Sequence, residues 1–484
     1  MTFTSQFFLF GFLPAVLAAT LLAPERARLA MLTLASYGFC AWAGPAFVLP
    51  LAAITLVDYA CGRVIAGAPE GATRRRRLAL AASTLANLGL LAAFKYLGFF
   101  AVNLDVALAG LGLARTGLAD AVHLALPLGI SFYAFQSLGY VIDVYHRRTE
   151  PARSLLEYAC FLSFVPRLSA GPILRFKEFA PQLRAPAVGL ASFSRGALTF
   201  SFGLAKKVLL ANPCGTVADL AFGAGGLAAG DAWLGLLAYS LQIYFDFSGY
   251  TDMAIGVGLM FGIELPQNFD RPYLARSVTE FWRRWHITLS NWLRDFLFLP
   301  IAYAAGRRLE RLRLAPAAEE YASYAVAALA TMALAGLWHG AAWNFVIWGL
   351  IHGAAMSAER AVARKRLYRR TPDAVKGAVT FAVVSFAWVF FRTPDLRAAA
   401  HYLASLAGAG APVPGSALLG GVLYQPYLLL GVGAAALVTW AGRPTRLLVA
   451  PLTAGRTVLA LALLWLGLAV LLVQAYKPFL YSVF

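Results

Sequence analysis

Of the six histidines in the 484-residue chain, His339 has the surroundings that point most directly to chemistry. It stands in Ala335-Gly-Leu-Trp-His-Gly-Ala-Ala-Trp-Asn344, between two apolar runs. Gly336 and Gly340 thin the backbone beside it, and Trp338 and Trp343 enclose it. An ionisable side chain within an apolar segment is costly and reads as functional by default. A packing histidine bonded to a neighbouring carbonyl is the competing reading. An imidazole with an ordinary pKa of about 6.5 suits a general base at neutral pH. Such a base fits transfer of an activated group to a hydroxyl: it takes the hydroxyl proton as the oxygen attacks a carbonyl. The sequence has no G-x-S-x-G serine, no HExxH, no closely spaced metal-ligand set and no P-loop. Hydride transfer, phosphoryl transfer and a metal centre are therefore not expected.

Two more polar clusters interrupt apolar sequence. Between Gln267 and Pro300 the chain reads QNFDRPYLARSVTEFWRRWHITLSNWLRDFLFLP. Ser277 or Thr279 is placed to cap a helix starting near Glu280. On a wheel at about 100° per residue, Phe281, Trp285, Leu289, Trp292 and Phe296 share one face; Arg283, His286, Ser290 and Arg294 share the opposite one. The spacing predicts an amphipathic helix over 277–296, either an interfacial anchor or a helix whose polar face lines a site open to the cytoplasm. The other cluster is Gln242-Ile-Tyr-Phe-Asp-Phe-Ser-Gly-Tyr-Thr-Asp252. Carboxylates such as Asp246 and Asp252 within an apolar run must face a cavity or a cation. Pairing with an arginine such as Arg271 or Arg283 is favoured over a catalytic role.

The elements that carry these residues follow from composition. Residues of the set AVILMFWYC make up 60% of the chain and charged residues 13%, against about 25% charged in a soluble domain. This excludes a soluble globular enzyme, a disordered chain and a collagen-like repeat. An outer-membrane barrel, with its alternating strands, is also disfavoured. Apolar runs lie at about 5–23, 29–43, 46–62, 78–100, 121–142, 155–174, 193–212, 232–262, 321–338, 341–358, 376–392, 416–441 and 457–476. The expected fold is an all-α polytopic membrane protein forming one domain over 1–484. The run 155–174, with Pro166, Arg167, Gly171 and Pro172, reads as broken or re-entrant. Whether 100–113 crosses is left open.

Lys and Arg total 41 against 23 Asp and Glu, a net charge of +18. The excess sits in short loops: Arg26 and Arg28, Arg74 to Arg77, His146-Arg147-Arg148, 307–313, 364–370, and Arg443 with Arg446. That is the positive-inside pattern, so these loops are expected in the cytoplasm and nucleic acid is not an expected partner. The first apolar run has no basic region before it and reads as a retained span. Cys40, Cys61, Cys160 and Cys214 form no CxxC pair and read as small buried hydrophobes.

Seven stretches together resemble the membrane-bound O-acyltransferase family, in its bacterial alginate O-acetylation branch. They are SFYAFQSLGYVIDVYHRR (131–148), FLSFVPRLSAGPILRFKEF (161–179), FGLAKKVLLAN (202–212), LQIYFDFSGYTDMAIGVGLMFGI (241–263), the 268–300 segment above, LAGLWHGAAWNFVIWGLIHG (334–353) and FAWVFFRTPDLRAA (386–399). FWRRWH together with LWHG is the specific part. FVPRLSAGP and IAYAAG (301–306) depart from the usual pattern. The resemblance implies about 11–13 helices and re-entrant segments around a central tunnel. It implies an inner-membrane enzyme moving an acyl group, acetyl above all, from a cytoplasmic thioester to a hydroxyl acceptor such as an exopolysaccharide.

The same resemblance implies the site. His339 falls on the family's near-invariant histidine and becomes the general base; His286 is the second catalytic histidine, orienting the donor or helping to protonate the leaving thiolate. The two are expected to mark opposite ends of one passage. Arg283 and Arg294 are expected to hold donor phosphates. Trp338, Asn344 and Asp246 complete the substrate-binding set, with Asn344 or Trp338 aiding the oxyanion. Acetyl-CoA or another acyl thioester is the implied donor, with no bound cofactor. The implied partners are membrane lipid and a periplasmic serine-esterase-like protein. The alternative reading is a transporter or flippase of a polymer-export system without acyl-transfer chemistry, although no internal duplication supports it.

Overall fold

The computed structural model describes residues 2–69, 72–118, 124–363, 365–410, 416–474 and 480. His123 and the start of the run expected at 121–142 lie outside them. Among the described residues the regular structure is helical throughout. The helices that matter here are α1 (Val48–Ala66), α2 (Thr73–Leu91), α3 (Ile130–Tyr145), α4 (Leu155–Ser163), α5 (Leu190–Ala205), α6 (Ala229–Met260), α7 (Val278–Arg284), α8 (Ile287–Leu293), α9 (Pro316–His339), α10 (Trp343–Val362) and α11 (Asp373–Arg392). Among the described residues, five helical stretches are long and apolar enough to cross a membrane: Pro45–Ala66, Thr73–Gly110, Pro316–His339, Asp373–Arg392 and Ala454–Val473. The chain is therefore an all-α membrane protein, as its composition predicts. Of the stretch 100–113, the part to Gly110 is helical and continues the second of these stretches.

The chain forms two compact units. The first comprises Met1–Ala197 and Met253–Pro266. Its helices are tied by a polar network rather than by apolar packing alone. Asp58 of α1, fully buried, accepts from Asn87 Nδ2 of α2 at 2.6 Å and from Ser137 of α3. Ser137 in turn bonds the Tyr158 hydroxyl of α4 at 2.6 Å. A buried carboxylate must be satisfied this way, so one side chain sets the register of four helices. The run 155–174 is broken as the sequence predicts: α4 stops at Ser163 and a single tight turn, Val165–Arg167, follows. Pro166 supplies the stop, since it has no N–H to continue the helix.

The second unit comprises Leu198–Asp252 and Gln267–Phe484. Its central feature is the antiparallel hairpin of α9 and α10. A Cβ added at Gly336 would lie 2.0 Å from the Phe345 carbonyl oxygen, and one at Gly349 would lie 2.0 Å from the Met332 carbonyl oxygen. The two backbones approach closely because only glycine fits at these crossings, the small-residue packing typical of helices in lipid. Gly349→Ala must push the hairpin apart. Its expected cost is about 1–3 kcal/mol, read as a lowered unfolding midpoint in detergent; an unchanged midpoint would refute the close approach.

Candidate active site

The 277–296 segment is not one helix. Ser277 caps α7, accepting the Glu280 N–H at 2.9 Å, so the helix starts at Val278 rather than near Glu280. The Glu359 carboxylate of α10 receives the free N–H groups of Val278 and Thr279, together with the Thr279 hydroxyl. A carboxylate there is favoured by the orphan donors and the helix dipole. Burial works to raise the Glu280 carboxyl, but the Arg276 N–H and the Arg284 guanidinium outweigh it and hold the group below its usual range.

The helix then breaks at His286, whose φ of 43° lies in the left-handed region. This break corrects the wheel. Phe281, Trp285, Leu289 and Trp292 are buried as the apolar face predicts, while Phe296, the fifth residue of that face, is half-buried. His286, expected on the opposite face, is fully buried as well. A fixed angle per residue holds only while the helix continues; one left-handed residue turns the imidazole inward.

His286 has a defined tautomer. The Asn268 amide oxygen accepts the Thr288 backbone N–H at 3.2 Å and the Thr288 hydroxyl at 3.0 Å. A backbone N–H can only donate, so this atom is the oxygen and not the nitrogen. His286 Nδ1, 3.2 Å from the same oxygen, must then be the protonated nitrogen. Neutral His286 therefore carries its basic lone pair on Nε2.

His339 is the last residue of α9 and is 2% exposed. Its ring meets Trp338, Trp348 and Phe391 edge to face, with centroids 4.9, 5.2 and 5.2 Å away. Trp338 also meets His286, at 6.4 Å. One indole, that of Trp338, thus touches both predicted histidines. Trp348 continues the chain of rings to a third fully buried histidine, His352, at 5.0 Å. His352 Nδ1 accepts the Trp282 indole N–H at 3.3 Å. Reading the histidines one by one passed over His352. The signal was present as a repeated pattern, Gly-Leu-x-His-Gly at 336–340 and again at 349–353, one copy at the end of α9 and one within α10.

Trp282 forms part of the wall of a cavity of about 280 Å³. Arg283 and Arg294 both line it, with Ser290, Asn291 and Tyr324 among its other walls. The structure thus brings the two predicted phosphate-binding arginines to one opening, although Arg294 also holds Asp295 at 2.8 Å. Two predicted substrate-binding residues are engaged elsewhere. Asn344 donates both amide hydrogens, to the carbonyls of Phe390 at 3.1 Å and Thr393 at 2.7 Å. Its side chain thus braces the end of α11. Asp246 is fully buried against Lys207 at 2.5 Å and accepts the Leu480 N–H at 2.8 Å. Its partner is a lysine, not the arginines expected.

Known proteins carry the same arrangement of sequence. The model of the membrane-bound O-acyltransferase family matches residues 230–393, the segment that holds His286, His339 and His352. Over 399 residues the chain is 40% identical to the probable alginate O-acetylase of Pseudomonas aeruginosa, covering 82% of this chain and 73% of that one. It is 35% identical over 444 residues to the peptidoglycan O-acetyltransferase of Helicobacter pylori, with 84% and 80% covered. The teichoic acid D-alanyltransferase of Streptococcus thermophilus is 30% identical over 247 residues, covering 49% and 58%. An all-helical membrane chain with this histidine cluster and this extent of likeness belongs to the membrane-bound O-acyltransferase family.

Proposed function

We propose that the protein moves an acetyl group from a thioester donor on the cytoplasmic side of a bacterial inner membrane to a hydroxyl of a cell-envelope polysaccharide, with alginate as the first candidate. The observation that carries this reading is His339, buried among aromatic rings at the end of an apolar helix and one indole away from a second buried histidine of fixed tautomer. The names of the acetyl-transferring relatives support acetyl as the group and a polymer as the acceptor.

His339 is the general base. It takes the acceptor hydroxyl proton as that oxygen forms a bond to the thioester carbonyl carbon. The tetrahedral intermediate collapses, the carbon–sulfur bond breaks, and the imidazolium returns its proton to the thiolate. Ester and free thiol leave, so protons and charge balance without a cofactor. His286 presents Nε2 as an acceptor and orients the donor; Trp338 packs between the two rings and shapes the site. Arg283 and Arg294, at the mouth of the 280 Å³ cavity, hold the donor's phosphates. The final transfer to the polymer is made with a separately encoded periplasmic protein of the serine-esterase type.

The test uses membranes containing the full chain, radiolabelled acetyl-CoA and alginate, with the periplasmic fraction supplied. Label should pass to polymer. Arg283→Gln with Arg294→Gln should raise KM for acetyl-CoA by about tenfold or more with kcat little changed, because phosphate contacts bind ground and transition states alike. Absence of donor cleavage under these conditions would overturn the reading. An unchanged KM in the double variant would remove the arginines from it.

A further inference from the structure

We propose that a cleft of about 440 Å³ in the first unit, lined by Arg76, Arg147 and Arg148, is a binding site for the phosphate headgroup of an anionic phospholipid. Nothing in the acyl-transfer reading uses it. The cleft lies where the apolar stretch Pro45–Ala66 ends and the stretch Thr73–Gly110 begins, the level at which a bilayer presents its headgroups. Ile65 and Ala66 give it an apolar wall beside the three guanidinium groups. Glu150 is a carboxylate on its lining.

The arginines are arranged rather than scattered. Arg76 donates to the Tyr145 carbonyl oxygen and lies over the Tyr145 ring, 5.1 Å from its centroid. That fixes a long side chain which would otherwise lose rotamer freedom on binding. Arg148 sits 3.9 Å from Asp143, but Asp143 is already held by Arg175 through two bonds of 2.9 and 2.8 Å. Arg148 is half exposed and keeps most of its charge for another anion.

Arg147 is the telling residue. It ends α3 with φ at 57°, in the left-handed region. The Arg148 N–H reaches back to the Asp143 carbonyl at 2.8 Å, closing the helix as a glycine-type C-cap does. Glycine would adopt this conformation without strain. The chain places an exposed arginine there instead, and its side chain borders the cleft. A loop charge needed only for topology could occupy any neighbouring position without that strain. Three arginines beside an apolar wall, one of them held in place by Tyr145, match a phosphate that carries acyl chains.

Arg147→Gly is the deciding variant, because it removes the charge and relaxes the turn. The purified full chain would be titrated with phosphatidylglycerol, then with phosphatidylcholine, and bound lipid counted by native mass spectrometry. The wild type should retain one phosphatidylglycerol more tightly than the rest. Arg147→Gly should weaken that binding by about tenfold or more, with an unfolding midpoint in lipid-free detergent that is equal or higher. Arg26→Gln, which removes an equal charge from an exposed position outside the cleft, should leave it intact. Equal weakening in both variants, or none in Arg147→Gly, would reduce the effect to general surface charge and overturn the site. Soluble glycerol 3-phosphate should not displace the lipid at matched concentration. Binding of that compound without retention of phosphatidylglycerol would overturn the lipid assignment.

Discussion

His339→Ala is expected to slow acyl transfer by at least about 10²–10⁴-fold, the usual worth of a general base. The ring also packs against Trp338, Trp348 and Phe391, so truncation removes contacts as well as a base. His339→Gln separates the two effects, because it keeps much of the volume and a polar tip but cannot take the proton. Both variants should lose turnover to a similar degree. Only the alanine variant should lower the unfolding midpoint appreciably, since deleting a buried ring leaves a cavity. The loss should fall on kcat, with KM for the donor nearly unchanged, because the groups proposed to bind its phosphates are Arg283 and Arg294. Full turnover in His339→Gln would eliminate the base. A loss confined to KM would move His339 from the chemistry to donor binding. Asn344→Ala makes a useful contrast: its amide hydrogens bond Phe390 and Thr393, so its effect should run through stability.

Much of this site was legible because burial follows periodicity. The spacing of Phe281, Trp285, Leu289 and Trp292 marked a buried face, and those residues are buried. Composition and run length marked an all-α membrane protein. What periodicity cannot give is where a helix stops obeying its own period. Nothing in Trp285-His286-Ile287 is a glycine or proline, so the break had no local signature. It is imposed from outside the helix by Asn268, which accepts from both His286 and Thr288 and receives the chain at the turn. Partner identity was illegible for the same reason. Asp246 pairs with Lys207, 39 residues earlier in the chain, and not with Arg271 or Arg283, 25 and 37 residues later; separation along the chain does not choose among such partners, and packing does. His352 differs: its pattern was local and repeated, and it was missed because each histidine was weighed alone.

Lys207→Met is expected to destabilise the protein by about 3–5 kcal/mol, a large share of a typical total of about 5–15. The argument rests on burial. Lys207 and Asp246 have side chains 5% and 1% exposed, at 2.5 Å. Removing the lysine leaves the carboxylate in a low-dielectric interior with its counter-charge gone, and the Leu480 N–H does not make up for that. Removing both is a different experiment. Lys207→Met with Asp246→Leu should recover most of the loss, and in comparable cases an apolar replacement has matched or exceeded the ion pair. The neighbouring pair supplies the internal comparison. Lys206 and Asp252 sit at 2.6 Å on the same two segments, but their side chains are 18% and 15% exposed, and Thr445 also donates to Asp252 at 2.7 Å. That pair is less buried and its carboxylate has a third partner, so Lys206→Met should cost less than Lys207→Met. Unfolding midpoints of the single and double variants decide this, with acyl transfer measured on the same preparations. If Asp246→Asn kept its stability and lost transfer, Asp246 would return to the substrate site. If instead stability falls in the singles and both stability and transfer return in the double, the carboxylate is there to be paired.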